Sequence, residues 1–399
     1  MIEGATSERL SQEAGLVSVG TESVPASRSL HVALVHDWLT GMRGGEKVLE
    51  VLCQLYPHAE LFTLVHVPGS VSPAIEGRRI HPSIVQRLPL ARRHYRQYLP
   101  LFPFAIEQFN LDRYDLVISS SHCAAKAVVR AGRALHICYC HTPMRYAWDQ
   151  FEAYFAVGQV GRSRGALLRP ALAALARWDR ATEGRVDRFI ANSRHVASRI
   201  GQYYNRRATV VYPPVDTAFY QPGASRPEGY ALIVSALVPY KRIDLAVESC
   251  RRVGMPLRII GQGPERARLQ RIAGPSAQFL GTLTNEQIRA LYQRASVVML
   301  PGEEDFGIVP LEAQACGRPV VALARGGALE TVVDGVTGVL VREATPEAMA
   351  DGLERAMVTP FEPATIRRHA EGFGRARFAR EILERIEETV ATPRDGRRW

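Results

Sequence analysis

The stretch EDFGIVPLEAQACG, Glu304–Gly317, decides how the rest of the chain is read. It follows SVVMLPG (from Ser296), an apolar run with the character of a buried strand, and leads into a helix expected to begin near Pro310. Proline suits the first helical position because its missing N–H would find no partner there anyway. Gly317 is a fitting helix stop. The amides of Ile308 and Val309 then point outward from a helix N-terminus, a ready anion site. Glu304 lies in the loop before that site and Glu312 on the helix just after it. The plain alternative is a helix-capping Glu304, with Glu312 a solvated or core-edge acid.

Short apolar runs alternate with helical stretches along the chain. HVALVHD (from His31), ELFTLVH (from Glu60), DLVISSS (from Asp115), HICYCH (from His136) and DRFIANS (from Asp187) form one series. YALIVSA (from Tyr230), PLRIIG (from Pro256), SVVMLPG and PVVALA (from Pro319) form a second. Strands apolar on both faces, each followed by a helix, predict parallel sheets covered on both sides. The 399 residues also exceed what one core ordinarily supports. The expected fold class is therefore α/β, with two doubly wound, Rossmann-like domains facing each other across a cleft. The break falls in VVYPPVDTAFYQPGASRPEG, Val210–Gly229, the most Pro- and Gly-rich connection. The expected layout is a flexible leader over 1–29, a first domain over 30–212, a second over 213–374, and a terminal helix over 375–399 that packs back on the first.

In open parallel sheets ligands gather at the carboxyl ends of the strands. Lys241 follows YALIVSA, so its ammonium would emerge in the cleft and offset charge on a departing phosphate; beside Arg242 it could also be half of a solvated basic pair. HDWLTGMRGGEKVLEVL puts Gly44 and Gly45 at a turn that opens a helix, where backbone can approach a phosphate closely. Glycine turns also commonly just close a strand–helix connection. His141 ends HICYCH at the cleft, and Arg145 and Tyr146 beyond it are candidates for an acceptor pocket. His122, in SSSHCAAKAV, is a weaker cleft candidate that reads as structural. Asp305-Phe306-Gly307 spells a kinase magnesium triad, but no kinase glycine loop or catalytic loop accompanies it. No Asp-x-Asp metal motif occurs.

The Glu304…Glu312 spacing within EDFGIVPLEAQACGRPVVA resembles the signature of the retaining glycosyltransferases of family four, which have the GT-B fold. The likeness continues in order through SALVPYKRIDLAVE, IIGQGPERARL, FLGTLTNEQIRALYQRASVVMLPG and GGALETVVDGVTGVLV, and covers nearly everything from His31 to about Arg380. It implies a donor-binding set of Gly44, Gly45, Lys241, Arg242, Gly261, Gly263, Phe306, Gly307, Ile308, Val309 and Glu312, with His141 and Glu304 catalytic. Glu304 and His141 would meet the transferred sugar, Glu312 the ribose hydroxyls, and Lys241 with the amides of Ile308 and Val309 the diphosphate. The family usually has an arginine where this chain has Ala236, which leaves one phosphate contact to another residue, Arg242 being nearest. VPYKRIDLAVE, HTPMRYAWD and WDRATEGRVDRFIANS look most like bacterial mannosyltransferases that build O-antigen and other surface polysaccharides. The implied activity is transfer of mannose from GDP-mannose to a hydroxyl of a lipid-linked glycan, with retained configuration and without metal or other cofactor. A UDP-sugar-dependent glucosyl-type transferase and a GT-B-fold sugar-nucleotide epimerase are the alternatives.

The net charge of +10 calls for an anionic partner. Nucleic acid is disfavoured because no recognised nucleic-acid motif occurs. HPSIVQRLPLARRHYRQYLPLFPFAIEQF (from His81) mixes Arg87, Arg92, Arg93 and Arg96 with Leu88, Leu99, Leu101, Phe102 and Phe104, and Arg162–Arg180 does the same with Leu and Trp178. Such stretches suit an anionic membrane surface or ordinary packing with solvated arginines. Six scattered cysteines fit reduced core thiols of a cytoplasmic protein. The Cys138-x-Cys140 pair would share one strand face, and His136 and His141 are too close in sequence to complete a zinc set. No apolar run is long enough to span a bilayer, and the leader lacks the hydrophobic segment of a secretory signal. The expected location is the cytoplasm, with peripheral contact on the inner face of the plasma membrane.

Overall fold

Val32–His36 is buried at every position, as a strand covered on both faces must be. A computed structural model describes residues 29–392 except 131, 133 and 149–161, so the expected leader and the last residues of the terminal stretch lie outside the described residues. Val32–His36 is β1; Glu60–Thr63, Ile80–Pro82, Leu116–Ser121, Leu135–Cys140, Arg188–Ala191 and Ala208–Val210 follow as β2 to β7. They form one parallel sheet in the order β3-β2-β1-β4-β5-β6-β7. Ala231–Val234, Leu257–Ile260, Ala277–Gly281, Val297–Leu300, Val320–Leu323 and Gly338–Val341 are β8 to β13, a second parallel sheet ordered β10-β9-β8-β11-β12-β13.

Both orders reverse once, between β1 and β4 and between β8 and β11. A doubly wound sheet opens its ligand crevice at such a switch point. In the first sheet, register sets His36 opposite Ser120 and Ser121 opposite Cys140, so the ends of three adjacent strands reach the crevice together.

Each sheet has apolar clusters on both faces. The helix Arg375–Ala391 follows the second sheet yet drives Phe378, Ile382 and Ile386, spaced four apart, into the β1 side of the first. Burying three such side chains contributes roughly 2 kcal/mol each, and Arg375 pairs with Glu50 at 2.7 Å on the same face. The connection between the sheets runs beside this helix: the Val215 amide donates to Phe373 O at 2.9 Å, and Arg377 donates to Tyr212 O at 2.9 Å. The two sheets are thus tied by two adjacent crossings. Among the described residues no helix is long and apolar enough to cross a membrane.

Candidate active site

The first-domain half is built from buried, hydrogen-bonded groups. Asp37, directly after β1, is fully buried and accepts four backbone amides: His122 at 2.7 Å, Cys123 at 2.9 Å, Ala124 at 2.6 Å and Ala125 at 2.8 Å. One carboxylate thereby satisfies the turn after β4. His122 lies against the same carboxylate at 3.1 Å, with Trp38 edge-on to its ring.

His141, after β5, meets Ser120 Oγ through Nε2 at 2.8 Å, and the same hydroxyl meets His36 Nδ1 at 3.1 Å. Glu46 Oε1 stands 3.9 Å from the other nitrogen of His36. Burial pulls His141 well below the usual imidazole value, helped by His122 and His36, so it is neutral at pH 7. Burial pushes Glu46 up, but its contact with His36 and its backbone hydrogen bond outweigh that and leave it below the ordinary carboxylate value. A carboxylate, two imidazoles and a serine hydroxyl therefore run in series toward the cleft. A serine between two rings can donate to only one of them, so its bond direction selects which nitrogen of His141 carries the proton.

Gly44 and Gly45 are the first two residues of the helix Gly44–Leu55. A Cβ on Gly45 would stand 3.3 Å from the His36 ring and 3.5 Å from His141 Nε2. One on Gly44 would come 3.1 Å from Cδ1 of Ile308, in the other domain. Gly44 therefore faces the second domain and Gly45 the histidines.

Ile308 itself opens the helix Ile308–Ala315, two residues before the expected start. Gly307 turns the chain there with φ +90, a conformation glycine adopts without penalty, and Pro310 falls at the third helical position. No side chain caps this end. The N-termini of Gly44–Leu55 and Ile308–Ala315 thus converge across the cleft, and their first-turn amides have no intrahelical acceptors.

Two lysines complete the setting. Lys241, in the turn after β8, pairs with Glu304, and Lys47, one turn into the first-domain helix, reaches across to pair with Glu312. The phenol of Tyr292 also donates to Glu312, at 3.2 Å. Gly261 and Gly263 have a packing reason of their own: a Cβ would lie 1.8 Å from Ser235 O and 2.2 Å from Leu237 O. They let the segment before Lys241 lie directly on the turn after β9. Phe306 is buried against Tyr212 and Phe373, which leaves only its backbone toward the cleft. Arg242 pairs with Asp244 at 3.2 Å beside a separate cavity.

Asp305 joins the domains. Its carboxylate takes Arg145 at 2.7 Å and the Thr142 hydroxyl at 3.2 Å, and its carbonyl takes Ser193 Oγ at 2.6 Å. Burial on its own lowers a guanidinium, but Asp305 outweighs it and holds Arg145 above its ordinary value. Tyr146 follows in the short helix Arg145–Trp148; its side chain lies outside what is described.

Asp37, Lys47 and Ser120 went unnoticed in the sequence. Lys47 carried a signal, one helical turn after the Gly44-Gly45 pair. Asp305 was visible only as part of a discarded kinase triad. Asp37 acts through partners more than eighty residues away, and Ser120 joins His36, 84 residues away, to His141, 21 residues away, which no local pattern reveals.

A cavity of about 560 Å³ opens at the amino ends of β1 and β2, among His31, Glu60 and Arg113. A second, of about 480 Å³, lies between the domains at the carboxyl ends. The carboxyl ends are where ligands bind in this architecture, so the second outweighs the larger one as a functional candidate. Among the described residues no group of three or more His, Cys, Asp or Glu is placed to hold a metal ion. The six cysteines are buried and unpaired with one another.

Comparison with known proteins agrees with this architecture. Residues 42–219 match the family model "Glycosyltransferase Family 4", and residues 216–372 match "Glycosyl transferases group 1". D-inositol 3-phosphate glycosyltransferase of Mycobacteroides abscessus is 32% identical over 241 residues, which is 53% of this chain and 54% of that protein. The chain thus spans about half the length of the curated relatives it matches. Among solved structures, Anabaena HepE in complex with UDP and glucose superposes with a TM-score of 0.67 at 18% identity, over 89% of this chain and 98% of that one. Sucrose-phosphate synthase from Thermosynechococcus elongatus gives 0.67 at 18% identity, over 90% and 99%. The chain has the GT-B fold, and its two domains match the family-four and group 1 glycosyltransferase models over adjoining segments.

Proposed function

We propose that the protein is a retaining glycosyltransferase that moves a hexose from a nucleoside-diphosphate sugar to an acceptor hydroxyl. The observation that carries this is the convergence of two helix N-termini, at Gly44 and Ile308, between the pairs Lys241–Glu304 and Lys47–Glu312. Two helix dipoles and two ammonium groups make a setting for a diphosphate that needs no metal. The donation of Tyr292 to Glu312 supports reading Glu312 as the acceptor for a ribose diol on one side of that diphosphate. Glu304 is placed to accept from the sugar hydroxyls on the other, with neutral His141 across the cleft.

Retention with a separate enzymic nucleophile would need a free carboxylate at the sugar. Here Asp305 is held by Arg145 and Thr142, and Glu304 is read as an acceptor for the sugar hydroxyls. A front-face displacement fits better: the acceptor oxygen bonds to the anomeric carbon as the phosphate oxygen departs, and that phosphate takes the acceptor proton. Lys241 and the helix amides stabilise the charge that builds on it.

For the donor, the likeness to surface-polysaccharide mannosyltransferases favours GDP-mannose; the UDP in the HepE complex supports a UDP-sugar as the second reading. The acceptor we favour is a lipid-linked glycan, met at the inner face of a membrane; the relatives' name supports a small phosphorylated cyclitol as the alternative. For membrane contact, the segment after β3 divides by face. Tyr95, Leu99 and Phe102 are buried, while Ile84, Leu90, Leu101 and Phe104 are exposed among Arg87, Arg92, Arg93 and Arg96. Apolar side chains interspersed with arginines fit an anionic lipid surface. In the second basic segment, Leu172 and Leu175 are buried and Trp178 donates to Glu107 at 3.0 Å, which is packing.

The test incubates GDP-mannose and UDP-glucose separately with a lipid-linked oligosaccharide and reads the products by NMR. A glycosylated acceptor with the donor's anomeric configuration is expected. An inverted product rules out retention, and an epimerised sugar formed without acceptor points to the epimerase instead.

A further inference from the structure

The cavity of about 480 Å³ is lined by four arginines, Arg145, Arg199, Arg242 and Arg325, with His195 and Glu303. That volume lies within the roughly 300–1,000 Å³ of small-molecule pockets. Nη2 of Arg145 is spent on Asp305 and Nη1 of Arg199 stands 3.8 Å from the same carboxylate oxygen, while Nε of Arg145 is buried without a hydrogen-bond partner. Asp244 holds Arg242, and Glu303 faces His195 at 3.5 Å. Arg325 is exposed and meets no ion-pair partner among the described residues. Guanidinium groups of this number converge where a multiply charged anion is gripped by paired N–H donors, a geometry that lysine does not provide.

The cavity shares a wall with the donor setting. The ring of Tyr240, which also lines the cavity, carries Lys241 Nζ 5.0 Å from its centroid and the Arg145 guanidinium at 5.4 Å. Glu303 faces the cavity while the next residue, Glu304, turns to Lys241. A ligand seated here lies one aromatic ring away from the sugar position.

We infer that this pocket binds the acceptor through a phosphate group, holding it on the arginines so that a hydroxyl of the same molecule reaches the donor sugar past Tyr240. The inference rests on the transferase reading. A phosphate brings up to two negative charges and several acceptor oxygens to four guanidinium groups, which a neutral hydroxyl-bearing acceptor cannot do. The phosphate can belong to a soluble polyol phosphate or to the head of a lipid carrier, and the two are separable.

The full chain is titrated calorimetrically with inositol 1-phosphate, with inositol, and with a detergent-solubilised polyprenyl diphosphate beside its neutral alcohol; Arg325→Ala is run in parallel. Tighter binding of inositol 1-phosphate than inositol, weakened about tenfold in Arg325→Ala, supports the pocket and a soluble source; tenfold is the effect of losing one charge-assisted hydrogen bond. The same pattern for the polyprenyl diphosphate alone supports it with a lipid source. If neither phosphate compound binds more tightly than its neutral partner, or if Arg325→Ala binds as wild type does, the inference is overturned. UDP and GDP titrated into both proteins report on the donor site separately: failure of wild type to bind either nucleotide counts against the transferase reading, not against a phosphate pocket.

Discussion

The two halves of the cleft are made by opposite means. On the first domain, Asp37, His122, Ser120 and His141 are locked together by hydrogen bonds, and burial depresses the basicity of both His122 and His141. On the second, Glu304 and Glu312 are charged groups held by lysines, Lys241 from a turn that glycines let pack closely and Lys47 reaching over from the first domain's helix. A buried hydrogen-bond network is stiff, since each lost partner strands a polar group away from water. An ion pair at a cleft wall is exchangeable: a lysine can turn from a carboxylate to a phosphate at little cost. The first half therefore sets geometry, and the second supplies charge where charge develops.

The contrast breaks most sharply at Asp37. Replacing it with alanine strands four buried amides at roughly 1–3 kcal/mol each, so Asp37→Ala should lower the unfolding free energy in urea by at least about 4 kcal/mol. A loss under about 1 kcal/mol would mean that the turn after β4 is satisfied by other means.

Lys241→Ala should do the reverse. Stability should stay within about 1 kcal/mol of wild type, while transfer slows by roughly 10²–10³-fold from lost stabilisation of the departing diphosphate. An unchanged rate at saturating donor would remove Lys241 from the chemistry.

Next in size is a pH effect on stability carried mainly by the first domain's imidazoles. Burial, reinforced by Arg130, lowers His136 to about 3, and His122 and His141 are also lowered. In the unfolded chain these groups take up protons below about pH 6.5, where the folded protein does not. Their stabilising contribution is therefore complete above pH 6.5 and is lost as the pH falls toward the folded values. The loss is about 1.4 kcal/mol per pH unit for each such histidine. Urea titrations at pH 7 and 5.5 should show the decline, and His136→Gln should flatten it; a slope unaltered in that variant would assign the effect elsewhere.

The smallest effect is expected at Ser120. Ser120→Ala frees both rings, so kcat should fall about tenfold with nucleotide affinity unchanged, and Ser120→Thr should recover most of it. Equal losses in the alanine and threonine variants would point to packing instead of tautomer selection.

How much of this the sequence shows follows the same division. Part of the second-domain half, Glu304 to Glu312, is one contiguous segment, so spacing alone places Glu304, Ile308 and Glu312 on one turn and helix. The central strands are legible because they are apolar on both faces. Ile80–Pro82, Ala208–Val210 and Ala277–Gly281 escaped because edge strands are only partly covered, and the first two are also just three residues long. The helix start moved from Pro310 to Ile308 because Gly307 at positive φ lets the chain turn earlier than a proline signal indicates. The hydrogen bonds of Asp37 and Ser120 join strand ends distant in sequence, and that information exists only once the sheet order is known.

The central claim is that a nucleoside diphosphate sits on the two helix N-termini between the lysine–carboxylate pairs. Thermal shifts of wild type, Lys241→Ala and Glu312→Ala with GDP-mannose and UDP-glucose test it directly. One donor should raise the Tm of wild type and raise both variants by clearly less. Equal shifts in all three proteins, or none in any, would contradict it.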